Sequence, residues 1–262
     1  MVKTEKIDLV KIAGFKKAQR KISALTAYDY SIARLLDESG IDLILVGDSG
    51  GNVALGHRNT LPVSMDEMTI FTRAAARAVK RAFLIADLPF GAYQVDPKEA
   101  VRNAIALAKA GAEAVKLEGV GYLGPIRAII KAGIPVMGHL GFTPQSVNEL
   151  GYHLQGKDPK AAARLMNDAK KLEQAGCFAI VLEMMPPELA KRISRTLKIP
   201  TIGIGAGPFC DGQVLVTYDM LGLYPDPPKF VNRYADVAAV IKKAVKKYIS
   251  EIGNKTYINL SC

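Results

Sequence analysis

The stretch from Ala82 to Glu118, AFLIADLPFGAYQVDPKEAVRNAIALAKAGAEAVKLE, contains one complete unit of the fold. Two aliphatic runs of strand length, Ala82 to Leu88 and Ala112 to Glu118, lie at its ends. Between them, Pro97 to Ala110 has apolar residues three and four positions apart and follows Asp96, a favourable helix N-cap. A strand, a helix and a second strand predict two parallel strands joined by a crossover helix.

The same alternation extends from this unit along the chain in both directions. It gives eight candidate strands, and eight parallel strands with intervening helices close a barrel. The sequence therefore predicts an α/β protein with a (β/α)8 TIM barrel, and its 262 residues suit that fold, which usually needs about 250. The candidate strands are Ile22 to Ala27, Ile41 to Gly47, Ala82 to Leu88, Ala112 to Glu118, Ile134 to His139, Phe178 to Glu183, Ile199 to Gly205 and Gln213 to Tyr218.

The segments outside these strands complete the predicted architecture. Glu5 to Gln19 is expected to form an N-terminal helix that closes the bottom of the barrel, and Arg233 to Ile252 a long C-terminal helix. The proline-rich segment Gly222 to Phe230 is expected to be a loop. Because no linker divides the chain, we predict a single catalytic domain over residues 1–262.

The bulk composition is that of a globular protein from a reducing compartment. Hydrophobic residues make up 49% of the chain and charged residues 23%, both ordinary values. Cys177, Cys210 and Cys262 are odd in number and far apart, so free thiols are expected. Neither a signal peptide nor an apolar run long enough to cross a bilayer is evident, and we expect a cytoplasmic protein without a membrane partner.

The net charge of +10 raises the question of an anionic partner. The lysines gather mainly near the two ends of the chain, at spacings typical of solvated helix faces. Nucleic-acid binding would favour a basic groove with interleaved aromatic residues, which is not the pattern here. A small molecule is therefore the expected partner, and a basic nucleic-acid-binding barrel remains the rival from another class.

Polar side chains stand at the ends of five candidate strands. Charged groups there are unfavourable to bury unless they bind something or pair with each other. The C-terminal ends of barrel strands meet at one mouth, where TIM-barrel active sites are built. The residues are Asp48 and Ser49 after the second strand, Asp87 at the third, Lys116 and Glu118 at the fourth, His139 at the fifth and Glu183 at the sixth.

Carboxylates without a cysteine or histidine cluster suit a hard cation such as Mg2+. Asp48, Asp87 and Glu118 come from consecutive strands and could share one ion. Lys116 and Glu118 are two positions apart and should point the same way. The alternative is a set of salt bridges at the mouth, for instance between Lys116 and Asp87. The residues by themselves indicate metal-assisted chemistry on a small anionic substrate.

Three features leave alternatives open. Tyr28 or Asp29 could line the mouth, but Asp29 is equally well placed to cap the following helix. The stretch GIGAG, Gly203 to Gly207, could offer backbone N–H groups to an anion or form a tight turn. Cys210 lies near this stretch and is interpreted as structural.

The strand ends, taken in order, resemble the ketopantoate hydroxymethyltransferase family along almost the whole chain. The order and spacing of the matching stretches make the resemblance specific, although any one of them would be weak. Departures occur at Gly50 to Asn52 and at Leu223 to Lys229, neither of which includes a proposed ligand. The matching stretches are TAYDY (26–30), VGDS (46–49), GHRNTLPV (56–63), ADLPF (86–90), VKLEG (115–119), GHLGFTPQSVN (138–148), VLEMMP (181–186), ELAKRI (188–193) and IGIGAG (202–207).

The resemblance implies roles for the strand-end residues. Asp48, Asp87 and Glu118 would hold Mg2+, Ser49 and Lys116 would bind the substrate carboxylate, and Glu183 would be the acid–base residue. It also implies a homodecamer that takes 5,10-methylenetetrahydrofolate as one-carbon donor for 3-methyl-2-oxobutanoate, on the route to pantothenate and coenzyme A. His139 is expected at the mouth without an assigned role.

The chemistry agrees with this implied reaction. A 2-oxo acid can chelate Mg2+ through carbonyl and carboxylate oxygens, and the ion can stabilise the enolate left when C3 loses a proton. Lys116 is expected to act as a cation, because a Schiff base would need a neutral amine. The nearest enzymatic rivals, barrels of the phosphoenolpyruvate mutase or isocitrate lyase type, carry a cysteine-bearing loop that we do not find in this sequence.

Overall fold

A computed structural model describes residues 5–253 and confirms the predicted barrel. Eight parallel strands close in chain order, each hydrogen bonded to the next, and the eighth pairs with the first. The strands are β1 Ile22–Thr26, β2 Leu43–Val46, β3 Phe83–Asp87, β4 Ala114–Lys116, β5 Val136–Gly141, β6 Ala179–Glu183, β7 Thr201–Ile204 and β8 Gly212–Leu215.

Helices follow most of the strands, as the crossover pattern requires. The predicted helix from Pro97 to Ala110 is confirmed at both ends: Asp96 accepts hydrogen bonds from two backbone N–H groups, and Gly111 ends it at φ 112°. The helices among the described residues are α1 Leu9–Lys17, α2 Tyr30–Glu38, α3 Gly50–Val53, α4 Met65–Ala78, α5 Pro97–Ala110, α6 Leu123–Lys131, α7 Val147–Leu150, α8 Pro159–Gln174, α9 Pro187–Thr196, α10 Thr217–Met220 and α11 Val237–Gly253.

The chain divides into two compact units between Leu215 and Val216. The first unit contains the whole barrel with α1 to α9, and the second contains α10 and α11. The single domain over residues 1–262 stays a prediction. Cys177 and Cys210 are free and buried, whereas Cys262 lies outside the described residues.

The N-terminal helix closes the barrel from below, as predicted, but it is shorter than Glu5 to Gln19. Helix α1 begins after Asp8, whose side chain accepts a hydrogen bond from the Lys11 N–H. Ile12 is buried and packs with Ile22 and other residues at the first positions of the strands. The apolar face of α1 therefore fills the end of the barrel opposite the mouth.

The eighth predicted strand, Gln213 to Tyr218, is wrong in its second half. Strand β8 ends at Leu215, and Thr217–Met220 forms a helical turn in which the Leu221 N–H donates to the Thr217 carbonyl. The β-branched residues suggested a strand, but strand propensity depends on having a partner to pair with, and local hydrogen bonds satisfy this backbone instead. The C-terminal helix likewise begins at Val237 rather than Arg233.

The barrel interior explains why polar residues meet at one end. Alternate residues of each strand point inward, and Phe83 and Ile85 of β3 belong to the interior apolar cluster. The next inward position of β3 is Asp87. Val115 and Leu117 of the fourth strand region belong instead to the apolar layer shared with the helices, as predicted.

Candidate active site at the barrel mouth

Six polar side chains converge at the C-terminal end of the barrel. Alternate residues of a strand share a face, so the apolar residues of β3 to β6 that point into the barrel form a row along each strand. Each of these rows ends at the mouth in at least one of the six polar side chains. All but Glu183 are nearly inaccessible, and the Glu183 side chain is 14% exposed. We call this set the mouth cluster: Asp48, Asp87, Lys116, Glu118, His139 and Glu183.

Lys116 lies between two carboxylates. Asp87 and Lys116 are register partners on β3 and β4, and Lys116 Nζ is 3.2 Å from Asp87 Oδ2. The same nitrogen is 3.7 Å from Glu118 Oε1, which confirms that Lys116 and Glu118 point the same way. The salt bridge between Lys116 and Asp87 that was considered as an alternative is therefore present. The cluster around it contains more carboxylates than positively charged side chains.

His139 connects the two sides of the mouth cluster. Its Nδ1 is 3.3 Å from Glu118 Oε1, and its Nε2 is 3.2 Å from Glu183 Oε2. Burial and the Lys116 charge act to lower the pKa of His139, but the Glu118 and Glu183 carboxylates outweigh them and raise it to about 9. The predicted mouth position of His139 is confirmed, and its ring lies within ion-pair distance of the carboxylates of Glu118 and Glu183.

The backbone of Glu183 is held in place by its close packing against the neighbouring strand β5. Gly141 of β5 is the register partner of Glu183 on β6 and has φ 98°. A Cβ at Gly141 would meet the Glu183 carbonyl oxygen at 2.0 Å, so only glycine allows this approach. The next residue, Phe142, donates its N–H to the same carbonyl.

Asp48 and Ser49 reach the mouth by a turn rather than by the strand alternation. Strand β2 ends at Val46, and the Asp48 N–H then donates to Asp87 Oδ2 at 3.1 Å. Ser49 Oγ shares a 2.8 Å hydrogen bond with the Tyr28 hydroxyl. Asp48 therefore lies beside β3, whereas Ser49 contacts Tyr28, which follows β1.

The charges of the mouth cluster are poorly balanced without a further cation. Burial, with the neighbouring Asp87 and Glu118 carboxylates, raises the pKa of Asp48 to about 8. Burial also raises the pKa of Asp87, although Lys116 acts against it. Burial acts to lower the pKa of Lys116, but the carboxylates around it outweigh this and raise it. A divalent cation would offset the remaining negative charge.

The donor set fits a hard cation. Asp87 Oδ1 and Glu118 Oε1 are buried without a hydrogen-bond partner, and such oxygens are ligands that Mg2+ accepts. Among residues 5–253, however, no three acidic, histidine or cysteine side chains are already gathered as a complete metal-binding set. The fit to a hard cation therefore rests on these two carboxylate oxygens, and water or substrate would have to supply further ligands.

Gln145 and Tyr93 belong to the site but were not singled out from the sequence. Gln145 is buried, and its side-chain Nε2 donates to Asp48 Oδ2 at 2.8 Å. The Tyr93 hydroxyl donates to Gln145 Oε1 at 2.7 Å. Gln145 lies within the stretch GFTPQSVN directly after the fifth strand, which was the available signal, but a neutral loop amide does not by itself indicate a site.

The structure settles one of the alternatives left open from the sequence, the roles of Tyr28 and Asp29, and leaves anion binding by the GIGAG stretch untested. Asp29 caps α2 by accepting from the Ile32 N–H, and Tyr28 is the residue of the pair that contacts Ser49. Gly205 and Gly207 both have positive φ, as a turn requires. Anion binding by this turn stays a prediction.

Comparison with known proteins gives a consistent result over nearly the full chain. Residues 6–259 match the family model described as ketopantoate hydroxymethyltransferase. The 3-methyl-2-oxobutanoate hydroxymethyltransferase of Caldicellulosiruptor saccharolyticus is 56% identical, covering 91% of this chain and 92% of that protein. The protein of that name from Thermoanaerobacter sp. (strain X514) is 53% identical, covering 95% and 92%.

Solved structures with low sequence identity share the fold. A phosphonopyruvate hydrolase, solved in complex with oxalate and Mg++, aligns with a TM-score of 0.63 at 15% identity, covering 97% of this chain and 90% of that one. A 2,3-dimethylmalate lyase of the PEP mutase/isocitrate lyase superfamily aligns with a TM-score of 0.59 at 15% identity, with the same coverage. These likenesses support the barrel architecture.

Proposed function

The chain belongs to the ketopantoate hydroxymethyltransferase family, and we propose that it transfers a hydroxymethyl group from 5,10-methylenetetrahydrofolate to 3-methyl-2-oxobutanoate, giving 2-dehydropantoate (ketopantoate). The observation that carries the proposal is the mouth cluster, whose buried carboxylates surround one ammonium group. This arrangement suits a small anionic substrate together with a cation. The identity of the bond formed rests on the family.

Asp48, Asp87 and Glu118 are the proposed Mg2+ residues. Bound there, Mg2+ would polarise the carbonyl and carboxylate oxygens of the 2-oxo acid and so stabilise its enolate. Asp87 Oδ1 and Glu118 Oε1 support this assignment, because both are buried and neither accepts a hydrogen bond.

Lys116 and Ser49 are proposed to bind the substrate carboxylate. The carboxylates around Lys116 keep its ammonium group charged, which suits ion pairing and disfavours attack on a carbonyl. The Tyr28 hydroxyl donates to Thr26 Oγ1, so Ser49 donates to Tyr28 in this structure and would turn its proton toward the substrate carboxylate on binding.

Glu183 is proposed to take the proton from C3 of the oxo acid. It is the member of the mouth cluster with the greatest exposure, and its carboxylate lies 3.2 Å from His139 Nε2. Water would replace both bonds between the methylene carbon and the folate nitrogens, giving formaldehyde and tetrahydrofolate. The carbanion at C3 would then form the new bond to that carbon, and its oxygen would take up a proton to become the hydroxyl group. One water is consumed overall and supplies the oxygen of the new hydroxymethyl group.

An assay of ketopantoate formation tests the proposed function. Purified protein is incubated with 3-methyl-2-oxobutanoate, Mg2+ and 5,10-methylenetetrahydrofolate, and the product is identified by mass spectrometry. Product is expected only when the folate is present, and excess EDTA should abolish its formation. Turnover of the oxo acid without folate would favour chemistry of the mutase or lyase type and would contradict the proposal.

We also propose a homodecameric assembly in the cytoplasm, serving the route to pantothenate and coenzyme A. Assembly is supported by α11, where Ile241, Val245, Ile249 and Ile252 are all exposed at helical spacing. Within residues 5–253, none of the helices has the length and apolar character needed to cross a membrane.

A further inference from the structure

Gln145 occupies a buried position that a polar side chain can hold only when it is fully hydrogen bonded. It lies in a 3-10 turn, Pro144–Ser146, that begins three residues after β5 ends. Its amide has two donors and two acceptor positions. All four are used: Nε2 donates to Asp48 Oδ2 at 2.8 Å and to the Leu88 carbonyl at 3.0 Å, while Oε1 accepts from Tyr93 at 2.7 Å and from Gln94 at 3.3 Å.

The direction of this amide is determined by its partners. A flipped amide would bring its oxygen against the Leu88 carbonyl, which can only accept hydrogen bonds. It would also face its NH2 group toward Tyr93. The Tyr93 hydroxyl accepts from the Glu118 N–H and donates to Gln145 Oε1, an acceptor that it would lose on the flip.

The backbone of Gln145 contacts a second carboxylate of the mouth cluster. Its N–H donates to Glu118 Oε2 at 2.9 Å, and the Glu118 N–H in turn donates to the Tyr93 hydroxyl at 3.2 Å. Asp48 and Glu118 are thus each held through one oxygen by the same residue. The other oxygen of Glu118, Oε1, makes no hydrogen bond and lies 3.3 Å from His139 Nδ1 and 3.7 Å from Lys116 Nζ.

We infer that Gln145 is a positioning residue that sets which oxygen of Asp48 and of Glu118 is presented to a bound divalent cation. The inference rests on the proposed function, because it assumes that these carboxylates bind the metal. Being neutral, Gln145 orients two carboxylates without cancelling the negative charge that attracts the cation. Residues that orient ligands in this way typically alter metal affinity by about 10- to 100-fold when they are changed.

Mn2+ binding to the full-length protein tests this role without relying on turnover. The free Mn2+ signal in electron paramagnetic resonance is recorded during titration of the unaltered protein, Gln145→Met and the control Gln155→Met. Gln155 is an amide in the same connection between β5 and α8, and its side chain donates to the His153 carbonyl. Gln145→Met should raise the Kd for Mn2+ about tenfold or more, and Gln155→Met should leave it unchanged.

Kinetics and a second variant separate positioning from a structural role. In Gln145→Met the KM for Mg2+ should rise by more than kcat falls, because saturating metal restores most of the site. Should Gln145→Met fail to fold, Tyr93→Phe removes one support of the amide while its ring keeps the edge contact with Tyr122, and it should weaken Mn2+ binding by a smaller factor.

The possible failures are distinguishable. If the unaltered protein binds no Mn2+ and forms no ketopantoate, the proposed function itself is wrong. If it does both, while a folded Gln145→Met or Tyr93→Phe has the Mn2+ affinity of the unaltered protein, only the positioning role is overturned.

Discussion

At the scale of single residues, Glu183 and Asp87 share one cluster but should have separable effects. Glu183→Gln keeps the size of the side chain and removes the base, so kcat should fall by about 10^2- to 10^4-fold with little change in Mg2+ or oxo-acid binding. Asp87→Ala removes a proposed ligand and should weaken metal-dependent substrate binding. Calorimetric titration with 3-methyl-2-oxobutanoate, with and without Mg2+, checks both, and an equal loss of binding in the two variants would show that Glu183 is misassigned.

Asp42 supplies a pH-dependent contribution to stability at the bottom of the barrel. Burial favours its neutral acid, but hydrogen bonds from Arg20 and Ser23 outweigh this and hold the pKa of Asp42 below its usual value. A carboxylate with a lowered pKa stabilises the fold above its unfolded pKa, and the contribution is lost as the pH falls through the folded value.

Asp42→Asn should therefore lower the free energy of unfolding by roughly 2 kcal/mol at pH 7, because hydrogen bonds to a charged group become weaker neutral ones. The difference should shrink as the pH falls below about 4, where Asp42 becomes protonated in the unfolded chain, and should be lost below the lowered pKa of the folded state. Urea unfolding at several pH values measures it. A difference that stays constant over this range would contradict the assigned cause.

The residues predictable from sequence were those that follow the strand alternation. Asp87, Lys116, Glu118, His139 and Glu183 all continue inward columns, so the strand pattern alone placed them at the mouth. Asp48 was found because it ends an apolar run, although it reaches the site through a turn.

Gln145 could not be found in this way. It lies in a loop, it is neutral, and its importance depends on contacts with residues that are distant in the sequence. The contacts of His139 with Glu118 and Glu183 could not be predicted from the sequence either, because they depend on how close the strands of the closed barrel bring these side chains.

At the scale of elements, helix α1 is expected to stabilise the barrel through Ile12. Ile12 is 1% exposed within the interior apolar cluster, so Ile12→Ala should lower the free energy of unfolding by roughly 3 kcal/mol. Val10 on the same helix is 81% exposed, and Val10→Ala should change it by less than about 0.5 kcal/mol. Equal effects in urea unfolding would mean that α1 does not close the barrel in solution.

The bounds of a helix with strong local signals, α5, were predicted to the residue at both ends. The end of a strand that depends on pairing, β8, was not. The Asp96 cap and Gly111 stop fixed α5 because each satisfies or ends helical hydrogen bonds locally. The strand predicted from Gln213 to Tyr218 failed because a strand continues only where a neighbour can pair with it, and β8 pairs with β1 only as far as Leu215.

At the scale of the whole molecule, the exposed apolar face of α11 leads to a prediction about assembly. Ile241→Glu puts a charge on that face and should reduce the assembled mass measured by light scattering during size-exclusion chromatography. Lys242→Glu places the same charge at the adjacent position outside the apolar row and should leave the mass unchanged. An unaltered mass for Ile241→Glu would show that this face is not an interface between copies.

The central claim is that the mouth cluster binds a divalent cation and a 2-oxo acid together. A crystal structure of the protein with Mg2+ and 3-methyl-2-oxobutanoate tests it most directly. Metal density is expected against carboxylates among Asp48, Asp87 and Glu118, with the oxo acid completing the coordination and its carboxylate near Lys116 and Ser49. Metal or oxo acid bound elsewhere, with the Lys116 ion pairs to Asp87 and Glu118 undisturbed at a saturating concentration of both ligands, would contradict it.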